Sequence, residues 1–327
     1  MRHFKTIAKA IISIGLFTYL FATADQKQIV HVLGNVYRAD GLAYLFLAFF
    51  AYFCSIGLMA FRWKIILKHY DLDFSFKKLF GYYLVGLFFN NFLPSSIGGD
   101  IIRIYKVVGN SEDRSPGFAS VILERILGVA STLFLAIISL YYVSHYFQDD
   151  RILYTSAALF SLIVVFFVLI TRNRPFEFLL KVFDKFSILN IGEKINKLIE
   201  AIHFLKEKKQ VFIWVFLLSL LSQVAIVFLN YAVVLALDID VDLTYLFLVV
   251  PVTFIITMLP SINGVGVREY GFVFFLAAVN VSSAAAISLS VMNVLVPMFI
   301  SIWGGLLFLM QRKNSKIDEV KAIEKNL

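Results

Sequence analysis

Two stretches decide the fold: LPSSIGGDIIR at Leu93–Arg103 and LPSINGVGVRE at Leu259–Glu269. Each places Leu-Pro-Ser, then two glycines, then an arginine inside strongly apolar sequence. Proline lacks a backbone donor and glycine loosens a helix. In a lipid environment the backbone groups freed by such a break must find partners. Irregular backbone at membrane depth is therefore confined to places buried in protein or facing a wet cavity. The sequence pays for this device twice.

Composition supplies the environment. Of 327 residues, 60% are hydrophobic and 16% charged, well beyond the ~45–50% apolar share of soluble domains. The 35 phenylalanines suit lipid-facing and interfacial positions. The formal charge of +8 forms no basic groove or arginine-rich arm. It lies between the apolar runs, where it orients a membrane protein, so no nucleic-acid partner is expected. Cys54 stands alone, which excludes an internal disulfide. His3, His31, His69, His145 and His203 have no ligand-like spacing, and neither a metal nor another cofactor is expected.

Apolar runs at about 7–24, 41–61, 117–144, 152–171, 211–236 and 283–310 are long enough to cross a bilayer. The first follows MRHFK and is read as a retained helix rather than a cleaved signal peptide. Segments 77–108 and 243–280 hold the two quoted stretches. If each crossed fully, the linker 172–210, with nine Lys/Arg against five acids, would lie outside against the positive-inside rule. If each is a re-entrant hairpin, every strongly basic segment becomes cytoplasmic. The expected fold is thus an all-α polytopic membrane protein with about six full spans and two re-entrant helical hairpins. Both termini are cytoplasmic, and the halves form an inverted-topology repeat, an organisation used by many transporters. A single integral membrane domain covers 1–312, with repeat one at about 1–144 and repeat two at about 152–310. A short polar cytoplasmic tail, 313–327, follows. The linker within repeat two carries Ile195, Leu198, Ile199, Ile202 and Leu205 on one helical face, suiting either the lipid surface or the bundle end.

The breaks are assigned to Pro94, Gly98 and Gly99, and to Pro260, Gly264 and Gly266. They would place helix N-termini near the midplane, where free N–H groups favour an anion. Arg103 and Arg268, matched with a one-residue slip in register, would add full charges for a lipid head group. Asn90, Asn91, Ser95 and Ser261 join that candidate site, although the asparagines suit capping and the serines suit bonding to backbone. Asp100, Glu269, Glu124 and Arg125 are the expected charge partners. The same charges would equally form internal ion pairs that lock the bundle. No residue is assigned as catalytic: no histidine lies near Ser95 or Ser261 to activate a hydroxyl. GVG at Gly264–Gly266 lacks the strand–turn–helix setting of a nucleotide loop. RWK at Arg62–Lys64 reads as an interfacial anchor.

NNFLPSSIGGDIIRIYKV, ILERILG and MLPSINGVGVREYGF resemble the membrane region of bacterial lysylphosphatidylglycerol synthase/flippase proteins of the multiple peptide resistance factor type. The resemblance spans about 1–312. It implies a flippase-like protein of the bacterial inner membrane that moves a phospholipid or related lipid between leaflets. In full-length relatives a C-terminal soluble domain transfers an aminoacyl group to the lipid. This chain is not expected to carry that domain, so lipid handling is implied without the transferase chemistry. The alternative is a subunit or scaffold of a lipid-modifying enzyme, since some relatives are fused to glycosyltransferase domains. Membrane lipids are the expected ligands; a separate lipid-modifying enzyme and further copies of this chain are the partner classes left open.

Overall fold

The computed structural model describes residues 2–92, 98–109, 115–143, 161, 209–258, 261 and 264–325. All but one residue of the expected span 152–171, nearly all of the basic linker 172–210, and Pro94, Ser95 and Pro260 lie outside these residues. The described residues are helical, with no strand among them. In chain order the helices are α1 (Arg2–Thr23), α2 (Gln26–Gly34), α3 (Ala39–Lys68), α4 (Phe76–Phe92), α5 (Gly98–Val108), α6 (Ser115–Val143), α7 (Lys209–Ala236), α8 (Leu243–Ile256), α9 (Val267–Ala277) and α10 (Ser283–Lys325).

Four stretches are long and apolar enough to cross a membrane: Asp40–Lys68, Ser115–Leu140, Gln210–Ala236 and Ser283–Gln311. They belong to α3, α6, α7 and α10. By contrast, α5 and α9 have 11 residues each. At 1.5 Å per residue they reach about 16 Å, roughly half the ~30 Å hydrocarbon core.

These short helices fold back on their predecessors. α4 packs on α5, and α8 packs on α9. Near the end of α5, the Lys106 ammonium sits 5.2 Å from the ring centroid of Tyr82, close to the start of α4, and bonds Gln311. Near the start of α8, Tyr245 donates its hydroxyl hydrogen to the Phe275 carbonyl at the end of α9, at 2.6 Å. Asp242 caps α8, its carboxylate accepting the Thr244 N–H at 3.0 Å.

The ends of the bundle are tied by polar contacts. At one end Arg38 pairs with Asp238 at 2.6 Å, and the Asn35 side chain donates to the Leu237 carbonyl at 2.9 Å. At the other, near Lys77 and Lys78, Lys106 donates to Gln311. The chain enters α8 from the first end and α4 from the second.

Packing crosses between the two halves of the chain. α3 lies along α7; α4 packs on α10; α8 packs on α6. The largest apolar core gathers Ala48, Leu135, Val233, Tyr245, Leu276 and Leu289 from α3, α6, α7, α8, α9 and α10. A second gathers Ile56, Trp63, Leu79, Ile104, Val121 and Ile300 from α3, α4, α5, α6 and α10.

Candidate functional site

The first break is closed by local chemistry. Asn90 accepts the Gly99 N–H at 2.8 Å, satisfying one of the free donors that open α5. A Cβ on Gly99 would run into the Gly86 carbonyl, so α4 and α5 approach at backbone distance. Asn91 instead donates to Ser301 on α10 at 3.1 Å.

This close approach delivers Arg103 into a buried charge cluster centred on Glu124 of α6. Glu124 accepts from Arg62 Nη2 at 2.9 Å, from Arg103 Nη2 and from the Tyr83 hydroxyl. Arg103 also faces Asp100 at 3.4 Å, and Asp100 accepts from Arg125 Nε at 2.6 Å. Arg62 Nη1 reaches Ser219 of α7 at 2.8 Å. Among the described residues three guanidiniums therefore gather around two carboxylates. All but Arg125 are buried; its side chain is 53% exposed. Arg62 Nε and Arg103 Nε are buried donors without acceptors. The Arg103 guanidinium carbon lies 4.2 Å from the Trp63 ring centroid and 3.7 Å from that of Tyr83. Ring faces attract a cation, and removal of water strengthens the attraction.

The second break is built differently. Gly266 caps α9 at φ +82°, a left-handed conformation open to glycine, and a Cβ there would meet the Ser13 carbonyl oxygen of α1 at 2.7 Å. Its N–H donates to Glu269 Oε2 at 2.6 Å. Glu269 Oε1 accepts from Arg268 Nη2 at 2.7 Å and from the Ser290 hydroxyl at 2.9 Å. Ser290 accepts from Arg268 Nε at 3.0 Å, closing the triad. Beside Arg268 is a cavity of about 210 Å³ lined by Asn230, Thr253 and Asn293 among others. Asn293 donates to Asn230 Oδ1 at 2.7 Å, and the Thr253 hydroxyl is buried without a partner.

Of the residues singled out in the sequence, Asp100, Arg103, Glu124 and Arg125 come together in one cluster, and Arg268 and Glu269 in the other. Arg103 and Arg268 thus belong to separate networks. The register also differs from the expected arginine match. When Leu259-Pro260-Ser261 is laid on Leu93-Pro94-Ser95, Glu269 falls on Arg103 and Ser290 on Glu124. The contacts follow this register, because Arg103 reaches Glu124 while Glu269 reaches Ser290. Arg62 is no interfacial anchor. α3 continues past it to Lys68, and Arg62 is 5% and Trp63 0% exposed. Sequence reading also missed Tyr83, Ser219, Asn230, Thr253 and Asn293.

The polar sites share two supports. Tyr52 and Arg62 lie on α3, and Asn230 and Ser219 on α7; each pair spans about 15–16 Å along its helix. Between them the Ser55 hydroxyl donates to the Ser222 carbonyl at 3.2 Å, joining α3 to α7 at mid-height.

Comparison with known proteins agrees with this architecture. The family model described as "Lysylphosphatidylglycerol synthase TM region" matches residues 6–304. A UPF0104 membrane protein of Pyrococcus horikoshii is 26% identical over 302 residues, covering 84% of this chain and 89% of its own. One from Methanocaldococcus jannaschii is 25% identical over 315 residues, covering 89% and 90%. These relatives are archaeal, so the likeness reaches beyond the bacterial inner membrane expected from the sequence. No solved structure matches the chain. The chain is a membrane protein, and it belongs to the lysylphosphatidylglycerol synthase transmembrane-region family.

Proposed function

We propose that this protein binds a phospholipid or related lipid and moves it between leaflets, passing the head group between the polar sites at the two helix breaks. The observation that carries this reading is the pair of buried arginines, Arg62 and Arg103, whose Nε donors have no acceptor. An arginine at the bilayer centre costs about 2.5–3.5 kcal/mol on insertion scales, and such residues mark ligand or ion pathways. An anionic phosphate suits the buried guanidiniums and their two unpaired Nε donors.

In this reading the α4–α5 and α8–α9 hairpins are re-entrant, entering from opposite faces between about six full spans, with both termini cytoplasmic. The halves are inverted repeats. Among these eight helices, exchanging α3 with α7, α4 with α8, α5 with α9 and α6 with α10 turns every packed pair into a packed pair, which supports the repeat. Two polar sites about 15 Å apart along α3 and α7 suit a head group handed from one half of the bilayer to the other.

The test is equilibration of labelled phospholipids across proteoliposome membranes. Wild-type protein accelerates exchange, and Arg103→Ala/Arg268→Ala slows it by more than about tenfold, a transition-state change of ~1.4 kcal/mol. Melting of the variant in detergent establishes that it remains folded. Unchanged exchange in a folded double variant sinks the head-group role. No acceleration by wild type over a broad lipid panel favours a scaffold or subunit of a lipid-modifying enzyme.

A further inference from the structure

A groove of about 1060 Å³ opens between α3, α4 and α10. It lies on the other side of α4 from the charge cluster: Tyr82 and Leu84 line the groove, while Tyr83 contacts Glu124. Its walls come from the apolar membrane-crossing parts of α3 and α10, so the medium it faces is lipid. Phe46, Phe50 and Trp303 stand exposed along it, and buried Leu84 and Ile300 form its floor. Its charged lining is Lys77 and Lys78, both exposed in the first turn of α4. They face Gln311, where the apolar part of α10 ends. Along α10 the groove runs from Gln311 back to Phe299, about 18 Å, close to the ~15 Å hydrocarbon depth of one leaflet.

We infer that this groove binds an anionic phospholipid, with the phosphate on Lys77 and Lys78 and an acyl chain along the aromatic wall. Charge complementarity sets the class. Two ammonium groups at head-group height attract a lipid of net negative charge, and basic residues beside a span are the usual device for doing so. The apolar length sets the orientation, because a groove one leaflet deep with cations at one end accepts a lipid one way round. This site is separate from the translocation pathway and stands whether or not the protein moves lipid.

Gly81 supplies a clean probe. It lines the groove, and a Cβ added there meets nothing within 4 Å. Gly81→Leu extends from that open position into the acyl space and suits a helix better than glycine. The experiment is native mass spectrometry of the full chain in mild detergent, titrated with phosphatidylglycerol and phosphatidylcholine of matched acyl chains. Wild type retains phosphatidylglycerol about 30-fold more tightly, the size of effect set by two basic residues at head-group height. Lys77→Gln/Lys78→Gln brings the two lipids to within about twofold of each other, while retaining phosphatidylcholine binding. Gly81→Leu weakens both lipids in a protein that melts as wild type does without lipid. Equal binding of the two lipids by wild type overturns the inference. So does a preference that survives removal of both lysines, or unchanged binding in Gly81→Leu. A protein that keeps the phosphatidylglycerol preference but moves no lipid removes the translocation reading and leaves this one intact.

Discussion

The two helix breaks solve the same backbone problem with opposite means. At the first, a network from five helices converges on Glu124, which accepts from two buried arginines and a tyrosine. At the second, one arginine and one carboxylate cancel, a serine completes the ring, and Gly266 supplies the left-handed turn. Arg103 and Glu269 sit at matching register and carry opposite charges.

Removing the hub of the first network gives the largest expected effect. Glu124→Gln leaves Arg62 and Arg103 buried without their shared carboxylate, and the expected loss is about 3–5 kcal/mol. Glu269→Gln keeps an acceptor for the Gly266 N–H and strands one arginine, for about 1–3 kcal/mol. Unfolding in detergent compares them; an equal or larger loss at Glu269 breaks the contrast. Next is the backbone. Gly266→Ala, at φ +82° and against the Ser13 carbonyl, is expected to cost about 1–3 kcal/mol. Gly109→Ala, at φ +56° in open space, isolates the conformational part at about 1 kcal/mol. If both substitutions cost the same, the approach of α1 to α9 contributes nothing to the second break. The smallest effect belongs to the bundle end. Arg38 and Asp238 are 61% and 67% exposed, so Arg38→Ala shifts stability by less than about 1 kcal/mol, and added salt erases the shift. A larger, salt-resistant loss would place this pair among the contacts that hold the halves together.

The helical framework was legible because length and apolarity leave few alternatives for a chain in lipid. Segments 77–108 and 243–280 correspond to α4–α5 and α8–α9 nearly residue for residue. Asp100, Glu124 and Arg125 were legible as neighbours of Arg103 because short loops bring α5 beside α6. Arg62 was not, because an arginine at the end of an apolar run looks like an anchor. Its signal lay further on: Ile65, Ile66 and Leu67 continue the run, which makes Arg62 an interior residue of a longer helix. Tyr83, Ser219 and Asn293 gave no local sign. Their partners lie on helices distant in the chain, and a polar residue in a span carries no record of its neighbour. Matching arginine to arginine follows residue type, whereas the Arg103–Glu124 and Glu269–Ser290 contacts follow the distance from the Leu-Pro-Ser break.

The reciprocal packing of α4 on α10 and α8 on α6 has a consequence for biosynthesis. The surface of α4 that Gly304 approaches at the Leu84 carbonyl is made early, and its cover is made near the end. At about 5–20 residues per second, the ribosome needs roughly 10–45 s to supply the intervening chain. Throughout that interval the first hairpin stands in the insertion machinery or the bilayer without its permanent neighbour. Its own polar network, which closes within α3 to α6 once Arg103 meets Glu124, is then the early hold on the break. A polypeptide released before α10 would keep that charge cluster in part while leaving the flank of α4 bare, marking it for membrane quality control.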